Sequence, residues 1–400
     1  MLYDQYVEEL SKLPMTKELS FSESEYRLRV EKVRHIMDAR GLDVLLITFT
    51  PNLSYLSGYQ SFGSGWYKCM VLPREGEPVL HMHQLEIGPA VLTSWVGDVR
   101  GVPWSDERGA ANGLADILKE RKLENKRIGV EIKKPGLGVD LYEGLKRALP
   151  NASLLDASDV VGQPRMIKSE AEIDYLRSSA NITMKALDAA LPMIRAGVTD
   201  NQIAAVIYHS LINEGSEYFS TQPIVSAGQR NWFLHTTFKR TPIQVGDTVE
   251  LEFGAAYQRY TSAICHTVAV GKPSPLVEAR SKAINETLDL LFQAVKPGRN
   301  GHDIAREIGV GMNDVSPAPS ATRMYGYSIG LGFPPTWGEE LYFIREGIDL
   351  ELKPGMTFHT VLAIDKPGTP GVGFSETWVV TESGYEILTA HDRELTVVDA

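Results

Sequence analysis

Two carboxylates one residue apart, Glu250 and Glu252, stand in the run Gly246-Asp247-Thr248-Val249-Glu250-Leu251-Glu252-Phe253-Gly254. Alternation predicts a strand after the Gly246 turn, with both glutamates on one face and Phe253 on the other. A half-buried carboxylate can act as a general base, attack as a nucleophile, or hold a cation by charge-assisted hydrogen bonds. The competing reading of a strand glutamate is plain solvent exposure, and Glu250 is expected toward the rim. Histidines supply a second kind of chemistry, because a near-neutral pKa suits proton transfer. His235 stands in Asn231-Trp232-Phe233-Leu234-His235-Thr236-Thr237, and His359 two residues before Val361 on a predicted strand. His81 and His83 form an H-x-H pair that could bind zinc. No third ligand is near them in sequence, so a structural role is expected.

These residues need a scaffold, and the chain alternates helix-like and strand-like segments. Helical spacing runs from Ser22 to Arg40, and Asp43 to Thr48 is a short apolar run read as a buried strand. Further strands are expected at Lys68 to Leu72, Pro78 to Met82 and Arg127 to Glu131, with helices at Ala110 to Arg121 and Leu141 to Leu149. Such alternation implies a mainly parallel or mixed sheet under helical cover. A boundary falls near Gly162, dividing residues 1–162 from 163–400. Beyond it Ser169 is an N-cap candidate followed by acidic residues, and Asp200, Pro275 and Asn300 open three more helices.

Four hundred residues, 43% of them hydrophobic, are enough for two cores. No apolar run is long enough to span a membrane. A net charge of −11 argues against nucleic acid as a partner. The opening Met1-Leu2-Tyr3-Asp4-Gln5 carries no basic and apolar leader, and two cysteines make no disulfide framework, so a cytoplasmic location is expected.

The Glu252 segment and its continuation Tyr260-Thr261-Ser262-Ala263-Ile264-Cys265-His266-Thr267 resemble the creatinase/aminopeptidase P family. Its peptidase members read G-D-x-V-x-x-D-x-G and Y-x-S-D-x-T-R-T there, and both aspartates bridge a metal pair. Arg165-Met166-Ile167-Lys168-Ser169 resembles the opening of the family's catalytic domain, and Asn52 to Tyr59 its N-I-x-Y-L-T-G-F segment. The resemblance covers essentially the whole chain. It implies a smaller N-terminal α/β domain followed by a C-terminal pita-bread catalytic domain, an α/β (α+β) protein, in a homodimer.

At the family's five metal-ligand positions this chain has Glu252, Ala263, Tyr327, Val361, and either Ser375 or Glu376. At most two carboxylates remain, so the resemblance implies no metal and no other cofactor, and places the chain in the metal-free branch. It also assigns roles. Glu252 becomes nucleophile or base, and His235 the acid/base, since relatives carry a histidine in a comparable loop. Tyr327 orients substrate or stabilises charge. Trp66, Trp337, His359 and Glu376 become substrate-binding residues, the tryptophans as an aromatic wall for a delocalised cation. For each tryptophan the competing reading is packing, for His359 a core histidine, and His266 is expected to be structural. In creatinase a loop comparable to residues 62–67 reaches the partner's active site.

The resemblance, closest to the family's metal-free hydrolases, implies hydrolysis of a carbon–nitrogen bond in a small zwitterionic cyclic amidine. A creatinase-like amidinohydrolase, an Xaa-Pro dipeptidase with an atypical metal site and a non-catalytic binding module are the alternatives. Creatinase itself fits poorly, since its guanidinium-holding glutamates match Cys265 and Val361.

Overall fold

A computed structural model describes residues 9–10, 12–14, 16–103, 109–309, 324–366 and 368–399. The chain divides into two compact units, 1–165 and 166–400. In the first, α1 (Glu23–Ala39), β1 (Val44–Ile47), α2 (Thr50–Ser57), β2 (Lys68–Pro73), β3 (Val79–His83) and α3 (Ile87–Thr93) lead to β4 (Asp98–Val102). Then come α4 (Gly109–Glu120), β5 (Arg127–Val130), α5 (Val139–Ala148), β6 (Ser153–Asp156) and the single turn α6 (Gly162–Arg165). Its six strands run in the order β4-β3-β2-β1-β5-β6, parallel except where β2 meets β1 and β3. The mixed sheet is the one that the alternating pattern predicts.

The segment 52–59 is mostly the end of α2, and every residue of that helix is buried. Its N-terminus is held by the fully buried Glu131, which accepts from the Thr48 and Phe49 amides, both at 2.7 Å, and from the Asn52 side chain. An anion at a helix start satisfies orphan amides and complements the helix dipole. Asn52 in turn accepts from Arg165 Nη1 at 2.6 Å. That buried link keeps α6 with the first unit, so the division falls three residues beyond Gly162.

The second unit contains α7 (Glu170–Ala190), α8 (Asp200–Asn213), β7 (Ile224–Ala227), β8 (Thr248–Tyr257), β9 (Tyr260–Val270), α9 (Pro275–Ala294) and α10 (Gly301–Ile308). β10 (Met324–Phe333), β11 (Thr336–Arg345), β12 (Thr357–Lys366), β13 (Thr369–Val380), β14 (Tyr385–Ile387) and β15 (Thr396–Val398) complete it. Ser169 and Glu172 form the capping box that starts α7, and Ser274 and Asn300 cap α9 and α10. The main path of the sheet is β11-β10-β12-β13-β9-β8-β7. One face of the sheet packs on helices in two clusters. Val249, Leu251, Phe253 and Ile264 lie in the cluster of α7 and α8, while Phe358, Leu362, Phe374 and Trp378 lie in that of α9 and α10. The period of two sends the intervening residues to the opposite face, and there the candidate residues collect.

Candidate active site

Register aligns the residues of this inner face into rows across the strands. Glu252 pairs with Cys265, and Ser375 with Val361. Phe374 opposite His266 sets Cys265 beside Ser375, and the Cys265 amide donates to Ser375 Oγ. One row therefore reads Glu252, Cys265, Ser375, Val361. The adjacent row reads Gly254, Ala263, Thr377, His359, Tyr327 by the same pairings. All five positions marked by the family resemblance fall on these two rows, and the register puts Ser375, not Glu376, among them. Glu250 is buried on the same face, one row further on, rather than at the rim.

The second row is tied together by side chains. Trp337, 4% exposed, donates its indole N–H to the Tyr327 hydroxyl at 2.8 Å. The hydroxyl accepts there and keeps its own hydrogen to donate. Burial, and next the charge of Glu252, push the Tyr327 pKa up, so the phenol stays protonated at neutral pH. His359 is wholly buried, its ring 5.4 Å from that of Tyr327 and 6.3 Å from that of Trp337. Burial pushes its pKa down to about 3, so the imidazole is neutral. Its Nδ1 lies 3.0 Å from Thr377 Oγ1, which also exchanges hydrogen bonds with the backbone of Ala263. A half-buried carboxylate, a protonated phenol, a neutral imidazole and an indole suit a flat, polar cation.

Other expected residues do not join this group. Glu376 is turned to the helix-side face, where it accepts from Thr389 Oγ1 at 2.8 Å and pairs with His391 at 3.4 Å and Arg393 at 3.7 Å. Its neighbours Ser375 and Thr377 take the inner face, which follows from the period of two. His266, beyond Cys265, is a satisfied core histidine, as expected. His235 is exposed in a loop, with a left-handed φ of 62°. That loop is fastened to the strand beside Glu252: Thr237 Oγ1 bonds Val225 N at 3.4 Å and Pro223 O at 3.2 Å, and Ile224 pairs with Glu252.

In the first unit Trp66 stacks edge-on with Phe62, ring centroids 5.7 Å apart, and lies 6.2 Å from the His83 ring. Lys68 holds that loop, its ammonium on the carbonyls of Gly63, Ser64 and Trp66 at 3.0, 2.9 and 2.7 Å. His81 is a packing residue. It bonds the Tyr67 hydroxyl at 2.7 Å and lies against Gly113, where a Cβ would come within 2.4 Å of its Nε2.

Thr377 is the residue that sequence reasoning passed over. Its spacing from Ser375 gives the face it takes, but its partner His359 comes only with the pairing of the strands. The five marked positions lack the donors of the metal pair that the family resemblance implies. They offer one carboxylate, two hydroxyls, a methyl and an isopropyl group, whereas divalent ions need several anionic or imidazole donors at fixed geometry. Among the described residues, no group of three or more His, Cys, Asp or Glu side chains is placed to hold a metal ion. This donor set does not fit a dinuclear centre.

Comparison with known proteins adds a family context. The model of metallopeptidase family M24 matches residues 174–382, and that of the creatinase/prolidase N-terminal domain residues 29–167. The ectoine hydrolase of Halomonas elongata is 30% identical over 397 residues, covering 95% of this chain and 98% of that protein. An Xaa-Pro dipeptidase of Pyrococcus horikoshii is 26% identical over 373 residues, covering 92% and 98%. The crystal structure of dipeptidase PepE from Mycobacterium ulcerans superposes with a TM-score of 0.82 at 27% identity, covering 95% of this chain and all of that one.

Proposed function

The chain belongs to metallopeptidase family M24 and carries a creatinase/prolidase N-terminal domain, and on that footing we propose that it is a metal-independent hydrolase opening the cyclic amidine ring of ectoine. The observation that carries this reading is the make-up of the five marked positions on the two adjacent rows. They keep one carboxylate, Glu252, and replace the remaining metal donors by Ala263, Tyr327, Val361 and Ser375. The 30% identity to an ectoine hydrolase supports the same choice of substrate.

Ectoine joins an amidinium to a carboxylate. Charge delocalisation makes the amidinium carbon a poor electrophile toward neutral water, so an anion beside it is needed. Glu252 pairs with the cation and either attacks that carbon or takes a proton from a water that attacks it. In both routes a carbon–oxygen bond forms and the carbon–nitrogen π electrons withdraw onto nitrogen. Tyr327 donates a hydrogen bond to the charge that shifts, while Trp337 holds its hydroxyl. Expulsion of a ring nitrogen requires a proton, and His235 supplies it from its loop beside β7. Water completes the reaction, directly or by hydrolysing a glutamyl intermediate, and leaves an N-acetylated diaminobutyrate. We place Trp66 at the partner subunit's site in a homodimer, with its loop already shaped by Lys68.

One experiment tests the whole reading. Protein stripped of metal by chelation is incubated separately with ectoine, creatine and a prolyl dipeptide, products are read by mass, and its size is measured by sedimentation. Ring-opened ectoine from a dimer is the expected outcome. Activity on the dipeptide alone, lost on chelation and restored by manganese or zinc, would instead make the protein a peptidase. Binding of ectoine without turnover would make it a binding module.

A further inference from the structure

Three short polar contacts meet at Thr377 Oγ1, and one of them is to His359. A threonine hydroxyl has one hydrogen to give and two lone pairs to receive. Here Thr377 Oγ1 donates to the Ala263 carbonyl at 2.8 Å and accepts from the Ala263 amide at 3.0 Å. One lone pair remains, and His359 Nδ1 lies 3.0 Å from it. All three contacts are hydrogen bonds at once only if the hydroxyl hydrogen goes to the carbonyl and Nδ1 carries a hydrogen of its own. A neutral imidazole with its hydrogen on Nδ1 has a bare lone pair on Nε2.

That Nε2 has no hydrogen-bond partner among the described residues, although His359 is 0% exposed. Buried polar atoms are nearly always paired, and an exception calls for a reason. The ring that carries it is flanked by Tyr327 and Trp337, on the row next to Glu252. Thus a hydrogen-bond acceptor is held rigidly against Tyr327, a phenol that feels the charge of Glu252, with no metal donor set for it to complete among the described residues.

We infer that His359 is a substrate-binding residue whose Nε2 accepts a hydrogen bond from a ring N–H of the amidinium, and that Thr377 is the positioning residue that fixes its tautomer. The inference rests on the cyclic amidine reading and deepens it. An amidinium offers N–H donors on both nitrogens, so Glu252 and His359 receive them at two points and orient the ring. A site that buries an acceptor also discriminates against a ligand lacking the matching N–H. An N-methylated amidine of the same shape therefore binds poorly.

The test combines spectroscopy with kinetics. In protein labelled with 15N-histidine, the His359 signals are those missing from His359→Met. The ligand-free protein is expected to show a protonated Nδ1 and a bare, pyridine-type Nε2. Saturation with ectoine should shift the Nε2 signal in the direction of hydrogen-bond acceptance. Thr377→Val should leave a mixture of tautomers. In kinetics, His359→Met, which keeps bulk without an acceptor at that point, should raise KM at least about tenfold and lower kcat less. His359→Gln restores an acceptor at a similar reach and should recover most of the loss.

A hydrogen on Nε2 in the ligand-free protein overturns the inference. So does an equal loss in the Met and Gln variants at unchanged melting temperature, which assigns His359 to packing. If His359→Met fails to fold, the His359 signals are assigned as those missing from His359→Gln, and the tautomer in Thr377→Val and the ectoine shift in the wild type still decide. Should the wild type neither bind nor open ectoine, the functional reading falls first. The acetamidinium ion, a bare amidinium, is then titrated against the Nε2 signal. A shift upholds His359 as an amidinium acceptor, and its absence removes that role as well.

Discussion

His266 and His359 are both buried in the second unit, and burial lowers both pKa values to about 3. Their partners differ. His266 lies 3.3 Å from His391 Nε2 through its Nδ1 and bonds Thr396 Oγ1 at 2.8 Å through its Nε2, so each ring nitrogen is used. His359 spends Nδ1 on Thr377 and keeps Nε2 in reserve. Glu376, on the face shared with His266, is likewise enclosed by Thr389, His391 and Arg393. Residue type and burial alone do not separate a structural group from a working one. What separates them is whether the hydrogen-bonding capacity is already consumed by the protein.

The largest effect expected from this contrast lies with Glu252. Glu252→Gln keeps the shape and removes the charge, and turnover should fall by at least about a hundredfold, the lower range for an acid–base group. Melting temperature should move little. Turnover within a few-fold of wild type would remove Glu252 from the chemistry. Mass analysis of quenched wild-type enzyme further distinguishes attack from base catalysis, since only attack leaves substrate-derived mass on the Glu252 peptide. Glu376→Ala is the mirror experiment. It strips a buried acceptor from Thr389 and Arg393, and a stability loss of about 2 kcal/mol is expected with KM and kcat nearly unchanged. If Glu376→Ala instead damages KM in a stable protein, the two faces of β13 are not divided as described.

The sequence made much of this legible. The turn at Gly246, the alternation through Phe253 and the capping signal at Ser169 are local features, and each appears where its residues say. The face on which Glu252 lies follows from the same alternation. Tertiary register is a different kind of information. Whether Ser375 or Glu376 belonged with the site depended on which strand β13 joins, and no local pattern contains that. Thr377 escaped notice for the same reason, because its importance lies in a cross-strand partner, His359. The burial of Glu250 is also a register effect, since β7 and β9 flank its strand. His235 is the converse case: a motif placed it, while its exposed, left-handed backbone position comes only with the loop's fold.

The next effect in size concerns acid. His81, His266 and His359 have folded-state pKa values of about 4, 3 and 3, in each case chiefly through burial, against 6.5 when exposed. The unfolded chain therefore takes up protons first as pH falls. Stability is full above about pH 6.5 and is lost below it, each histidine contributing about 1.4 kcal/mol per pH unit until its folded pKa is reached. His81 acts in the first unit, the other two in the second. Denaturant titrations of His359→Met between pH 6 and 4 should show a slope shallower by one proton than wild type. An unchanged slope would mean that His359 is protonated in the folded state, contrary to a bare Nε2.

The smallest expected effect tests the indole. Trp337→Phe keeps most of the aromatic wall and deletes the N–H that holds the Tyr327 hydroxyl. A neutral hydrogen bond of this kind contributes about 1 kcal/mol, so kcat/KM should drop roughly fivefold, by the usual conversion of free energy to rate. If Tyr327 acts by stabilising charge in the transition state, the loss should fall on kcat, because a hydroxyl free to rotate is aimed less well at the moment charge shifts. If the indole instead serves as a cation-binding wall, phenylalanine is the weaker partner for a cation and the loss should fall on KM. In the double variant with Tyr327→Phe, the Trp337 change should then cost almost nothing in the first case and its full amount in the second. That cycle assigns Trp337 either to holding a catalytic hydroxyl or to touching substrate itself.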